Sequence, residues 1–389
     1  MQRRTVLKTL GGVAVVVAAG GVWRAFDQGV FSAGEGPAYE PWRTWRGDSD
    51  DGPLSLVRAA ILAANPHNTQ PWRFRVTPSR IDLFADTTRN IGATDPFRRE
   101  MYVGVGCALE NLLLAAHAQG YAASLALTPD SADPAYAAGV DLSQGTATPS
   151  EMYQAIPLRH TNRGPYDVQR SLSRDVEQAL QALNTDTDVA LFWFTADADR
   201  RRIGQLIVEA SQAIIADREQ SHDSARWYRF RWKELQQHRD GITMDAMGAS
   251  PILRAATKIL PPLSHDRTDA FWLKATRDVH VATAGAYGVL AVRNADDISQ
   301  RLRCGRLWQR MHLWATTQGI AMQPLNQIPE RDAREQVQGI EPRFGNALRH
   351  LAGSPEWHAL IVFRAGYPSR EALPSPRRPV ESVLMPSGG

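Results

Sequence analysis

The stretch Asn65-Pro66-His67-Asn68-Thr69-Gln70-Pro71-Trp72 crowds three amide side chains and an imidazole around two prolines. Amides donate and accept hydrogen bonds without carrying charge, and proline fixes the backbone that presents them. This suits recognition of a polar edge rather than nucleophilic attack. A helix C-cap with an Asx turn would use the same residue types. Two further groups are cationic: Arg159-His160-Thr161-Asn162-Arg163, and Arg377-Arg378 between prolines. Guanidinium groups offer planar forks of donors that match phosphate oxygens. His222, His238, His265, His280 and His312 lack metal-ligand spacing, so no metal is expected. No side chain stands out as a general acid, a base or a nucleophile.

These groups need elements to position them. From Pro53 onward Leu54, Val57, Ile61 and Ala64 fall on one helical face. Two alternating segments, WRFRV and RIDLFAD, flank TPS and predict a β-hairpin. A helix is expected over 98–119, stopped by Gly120. Its G-x-G, within YVGVGCALEN, suits close helix packing better than nucleotide binding. Asp95, Arg98, Arg99 and Glu100 either reach a bound ligand's edge or, as the simpler reading, are the solvated charges of its first turn. After a loose stretch at 128–150 the order partly repeats. Ser173 caps a helix, VALFWFT is a strand, and a helix covers 197–216. Residues 222–265 are irregular, and RWYRFRW (226–232) reads either as a lid face or as an amphipathic helix. Helices over 270–292 and 296–318 then precede the strand HALIVFRAG. The fold class is α+β, in two tandem halves.

The 389 residues carry a net charge of +3, which gives no electrostatic case for nucleic acid as a partner. Cys107 and Cys304, the two cysteines, sit in apolar stretches and read as buried free thiols. At the N-terminus, Arg3, Arg4 and Lys8 precede an apolar run from Leu10 to Val22, short for a membrane span but suited to a signal. The Arg3-Arg4 start resembles a twin-arginine export signal. The expected organisation is a signal over 1–26, a linker or wrapping arm over 27–52, a first half over 53–150, and a second half over 151–389. The second half includes a lid insertion at about 222–265 and a C-terminal arm.

HNTQPW resembles the N-x-Q-P-W turn of the nitroreductase-like flavoproteins, which touches the isoalloxazine ring of FMN. LRHTNRGPY resembles that family's R-x-S-x-R phosphate clasp, PSPRRPVESVL its terminal arm, and GIAMQPLNQ its loop below flavin N5. The resemblance spans roughly 54–384. It implies FMN contacts at Asn65, Pro66, His67, Asn68 and Gln70; at Arg159, His160, Thr161 and Arg163; at Met322, Gln323, Pro324 and Leu325; and at Arg377 and Arg378. Asn326-Gln327 stands where bacterial nitroreductases carry an acidic-glycine pair. The second half lacks the turn and the first half lacks a clear clasp, which implies one FMN per chain in a fused pseudo-dimer of the Acg type.

The implied activity is FMN-dependent oxidoreduction, with electrons passing to a nitro, quinone or similar small-molecule acceptor and NAD(P)H as a donor. The chemistry would belong to the flavin. The alternative is a protein that binds and sequesters FMN beneath its lid. The signal implies the twin-arginine export machinery as a partner and a periplasmic or other extracytoplasmic location. Signal cleavage and oligomeric state stay open, a monomer included.

Overall fold

The computed structural model describes residues 21–47 and 52–386. The expected twin-arginine motif lies outside them. Two four-stranded antiparallel sheets organise the chain. The first holds β1 (Trp72–Thr77), β2 (Arg80–Ala85), β3 (Tyr121–Leu127) and β4 (Tyr136–Gln144), in the order β1-β2-β4-β3. The second holds β5 (Val189–Phe194), β8 (Ala286–Val292), β9 (Ala321–Pro324) and β10 (His358–Gly366), in the order β5-β8-β10-β9. Between β5 and β8, the two-residue strands β6 (Tyr228–Arg229) and β7 (Ile242–Thr243) pair in parallel.

Two long helices join the sheets. The first, Arg99–Ala118, starts where the Asp95 carboxylate accepts the backbone N–H groups of Arg99 (2.7 Å) and Met101 (2.9 Å). It is apolar on most of its surface and lies buried in the core. The second is Ile298–Thr317. Their backbones touch where each carries glycine. A Cβ on Gly106 would lie 2.2 Å from the Leu302 carbonyl oxygen, and one on Gly305 would lie 2.0 Å from that of Val103. Gly104 faces Pro66 at the amide-rich turn. The G-x-G is thus a packing device, and one apolar core runs through both halves.

The hairpin, the Ser173-capped helix and the helix Asp197–Ala216 form as expected. The segment 270–292 does not. Its helix His265–Ala275 passes through a π-turn at Thr276–Val281, and AYGVLAV is β8, the buried strand between β5 and β10. A strand covered on both faces loses its alternation, so an apolar run of seven fits either element. The loose stretch 128–150 contains β4, an interior strand. Residues 37–47 lie along the C-terminal arm: Arg377 N–H donates to Ala38 O at 2.7 Å, and the Trp42 indole donates to Ser375 O at 2.8 Å. That arm continues to β1, where Met385 N–H donates to Phe74 O.

Candidate functional site

Three of the four non-glycine residues 67–70 have left-handed backbone: His67 (φ 48°), Asn68 (φ 55°) and Gln70 (φ 53°). Each costs of order 1 kcal/mol and persists only where its surroundings impose it. The amides supply that restraint. The Asn65 side-chain oxygen accepts the Gln70 N–H at 2.7 Å. Asn68 donates to Pro376 O (2.9 Å) and Gly241 O (3.2 Å) and accepts from the Arg377 guanidinium (2.6 Å). Gln70 donates to Arg239 O and accepts the Arg378 N–H. The expected ring contacts therefore divide. Asn65, Pro66 and His67 line a cavity, whereas Asn68 and Gln70 are buried outside its lining and tie the turn to the lid and C-terminal arm.

The cavity, about 260 Å³, lies between the halves. The first half contributes the turn and Glu100, Val103 and Cys107; the second contributes Thr161, Arg163, His280 and Trp308. The loop after β9 adds Gln323, Pro324, Leu325, Asn326 and Gln327, while Met322 is fully buried outside the lining. Tyr228, Met247, Leu253 and Phe271 wall the lid side. RWYRFRW is not one helix: Tyr228 faces the cavity from β6, and Arg229 pairs with Asp240 at 2.8 Å.

The arginines separate in the same manner. Arg163 reaches the cavity wall and donates to Ala246 O of the lid at 3.1 Å. Arg159 and Arg377 lie outside that lining, each 2% exposed, and both donate to Leu62 O (3.1 and 3.2 Å). Arg378 holds Gln70 O and Ser382 O. Trp42 packs edge-on against His160 (4.6 Å) and beneath Arg377 (4.7 Å). No carboxylate pairs with Arg159 or Arg377 among the described residues, and Arg159 Nε, Arg377 Nε and His160 Nδ1 are buried without partners. Buried charge is ordinarily paired, so this cluster has the donor chemistry of an anion site. The unpartnered Gln327 Oε1, His280 Nδ1 and Glu100 Oε1 at the cavity add mixed donors and acceptors among apolar walls. An aromatic ring with a polar edge and a phosphate tail, as in FMN, fits that set.

Electrostatics leave the imidazoles neutral. Burial, then Arg163, lowers the His67 pKa to about 4, and His67 Nε2 meets Ser224 Oγ at 2.8 Å. Burial with Arg159 and Arg377 takes His160 to about 3; burial with Arg364 and Arg163 holds His280 well below its ordinary range. Two carboxyl groups move the other way. Burial and the nearby Glu330 and Asp95 raise Glu100 well above the carboxylate range, and burial raises Glu330 to about 8. Both carboxyl groups line the cavity wall. Glu100 is therefore part of the site, the less simple of its two sequence readings. Glu330 and His280 had no sequence signal. Arg364 did, as a charge inside an apolar strand. Fully buried, it donates to Gly164 O (2.6 Å), Thr283 Oγ1 (3.1 Å) and Gln323 Oε1 (2.8 Å), and stacks on Tyr166. It fixes the segment that carries Arg163.

No protein-family model matches the chain. Among curated proteins it is 26% identical over 343 residues to the uncharacterized protein Rv3127 of Mycobacterium tuberculosis, covering 85% of this chain and 92% of that one. It is 26% identical over 354 residues to a protein of the same organism provisionally named NAD(P)H nitroreductase acg, covering 85% and 94%. The FMN-dependent nitroreductase NfnB of Mycobacterium smegmatis, solved with NADPH, aligns at 17% identity and a TM-score of 0.39, over 60% of this chain and 97% of that one. Over most of its length the chain is thus similar to the Acg-type, nitroreductase-like proteins.

Proposed function

We propose that this chain is an FMN-dependent oxidoreductase of the nitroreductase type. The observation that carries the reading is the acid-free cluster of Arg159, His160 and Arg377, in which the unpartnered Nε groups of both arginines and Nδ1 of the imidazole lie behind a cavity shaped by the strained turn. Asn65, Pro66, His67 and the loop Gln323–Leu325 would border the ring, while Thr161 and Arg163 would hold the phosphate end and the basic cluster would add positive charge from behind the lining. When bound, the flavin supplies two-electron transfer between a reduced donor, NAD(P)H among them, and a nitro, quinone or similar acceptor. The protein's own part is positional. Trp308, Val103 and Leu325 exclude water, and the Glu100–Glu330 pair holds a proton at the cavity wall. One flavin per chain follows from the single amide turn.

The test is flavin retention. Replacing both Arg159 and Arg163 with alanine removes the lining donor, which contributes roughly 1.5–3 kcal/mol where it meets a phosphate, and a buried cation behind it. The double variant should purify colourless and bind added FMN at least a hundredfold more weakly. Wild-type retention would exclude the clasp.

The lid favours a second reading, in which FMN is held with little turnover, because Tyr228, Met247, Leu253 and Phe271 cover one side of the cavity. Deleting residues 222–265 would then raise reactivity toward nicotinamides, whereas an open enzyme would keep a comparable rate. We also assign the chain to an extracytoplasmic location through the twin-arginine route, on the basis of Arg3-Arg4 and the apolar run that follows. Fractionation of cells expressing the chain tests this, and an Arg3→Lys/Arg4→Lys variant should stay in the cytoplasm.

A further inference from the structure

Large apolar side chains are seldom exposed together on a soluble protein. Among the described residues, eight of the twelve most exposed ones fall in two short segments. Val22, Trp23, Phe26 and Phe31 are 58–67% exposed; Ile252, Leu253, Leu260 and Leu263 are 84%, 42%, 59% and 47% exposed. These segments, some 230 residues apart in sequence, form one surface. The Arg24 guanidinium is hydrogen-bonded to Ile259 O, and the buried Lys258 ammonium donates to Gly29 O (3.0 Å) and Asp245 (2.8 Å). Gly29 is pressed against the Trp232 ring, where a Cβ would lie 2.4 Å from ring carbons. Trp23, Leu260 and Leu263 line a common apolar cleft of about 240 Å³. Met247 and Phe271 wall both this cleft and the central cavity, and Leu253 lines the cavity as well.

We propose that this face docks on a lipid bilayer, with the lid helix Pro251–Ile259 and the segment carrying Trp23 and Phe26 in the interfacial layer. The sequence decides between lipid and a protein partner. The apolar run Leu10–Val22, preceded by Arg3, Arg4 and Lys8, leads without interruption into Val22 and Trp23. A chain that enters lipid at this point brings the patch to the bilayer surface, whereas a protein partner would leave that continuity without cause. Indole and phenyl groups favour the interface, and burial of several such side chains suffices for surface binding. Besides Asp27, the cleft is lined by Arg24, Arg231 and Lys258, the last paired with Asp245, so cationic attraction to anionic lipid adds to the apolar contact and salt should weaken the docking only in part. The wall of the cavity that lies nearest the patch then faces lipid.

Cys107 and Cys304 are buried, so a cysteine introduced at an exposed site can be labelled selectively. In the full chain, Ile252→Cys would carry a polarity-sensitive dye, and Ser79→Cys at the exposed β1–β2 turn would serve as reference. Each would be mixed with vesicles of phosphatidylethanolamine and phosphatidylglycerol containing nitroxide-labelled lipid. The expected result is a blue-shifted emission at residue 252, quenched at least fivefold more than at residue 79. Equal quenching at both positions, or none, would overturn the proposal. Emission already blue-shifted without vesicles and unchanged by them would overturn it too, in favour of a second copy or the chain's own leader. Sedimentation then separates those two. The readout needs no flavin, so its failure leaves the FMN reading intact.

Discussion

Glu100 and Glu330 stand more than two hundred residues apart, and only folding brings their carboxyl groups together. Glu330 illustrates what this does to stability. Its pKa is about 8 in the folded chain, raised by burial, against an ordinary 4.5. The native state therefore binds more protons than the unfolded chain across that window. Its contribution is fully present below pH 4.5 and is lost as pH rises through 8. Glu330→Gln should flatten that dependence: the difference in stability between variant and wild type should change by about 3–4 kcal/mol from pH 5 to pH 8, in the variant's favour at the higher pH. Thermal unfolding across the range checks it, and parallel curves would show that the pair does not share a proton. His67, with its pKa lowered to about 4, acts oppositely: its stabilisation is lost as pH falls from 6.5 toward 4. The sequence shows none of this coupling. It shows Glu100 beside Arg99 and Arg98, which reads as a wet helix start.

Helices and turns were more legible than the contacts they make. The amide-rich turn stands out because three amides around two prolines are an uncommon local choice. Which of those amides face the cavity depends on partners at Arg239, Gly241 and Pro376, far along the chain. Asn68→Ala removes three hydrogen bonds at once and leaves part of a buried guanidinium unpaired. It should cost about 2–4 kcal/mol and speed proteolysis of the lid near Gly241. An unaltered melting temperature would contradict the bracing role. The strand AYGVLAV was hidden for a different reason, since burial on both faces erased its period. The G-x-G was legible as packing but not its partner. Gly305→Val would push a methyl-bearing carbon into Val103 O and force apart helices that carry Val103 and Trp308 at the cavity. Destabilisation of about 3 kcal/mol or more is expected, with loss of flavin binding, both measurable by thermal unfolding with and without FMN.

Over the whole molecule, a partial repeat of helices and strands was legible in sequence, with β8 read as helix and β4 as loop, while the sharing of one core by both halves was not. The cavity exists because the halves meet: its walls come from the first helix of one and the β9 loop of the other. The lid completes it from an insertion whose irregular composition gave a boundary but no shape. The central claim is that this shared cavity holds a working flavin. Anaerobic titration of the purified protein with NADH and NADPH, followed at the flavin's visible absorption band, tests that claim most directly. Bleaching by a nicotinamide at about one equivalent per chain is the predicted result. A chain that binds no flavin, or one whose flavin is reduced by dithionite but by neither nicotinamide, would contradict it.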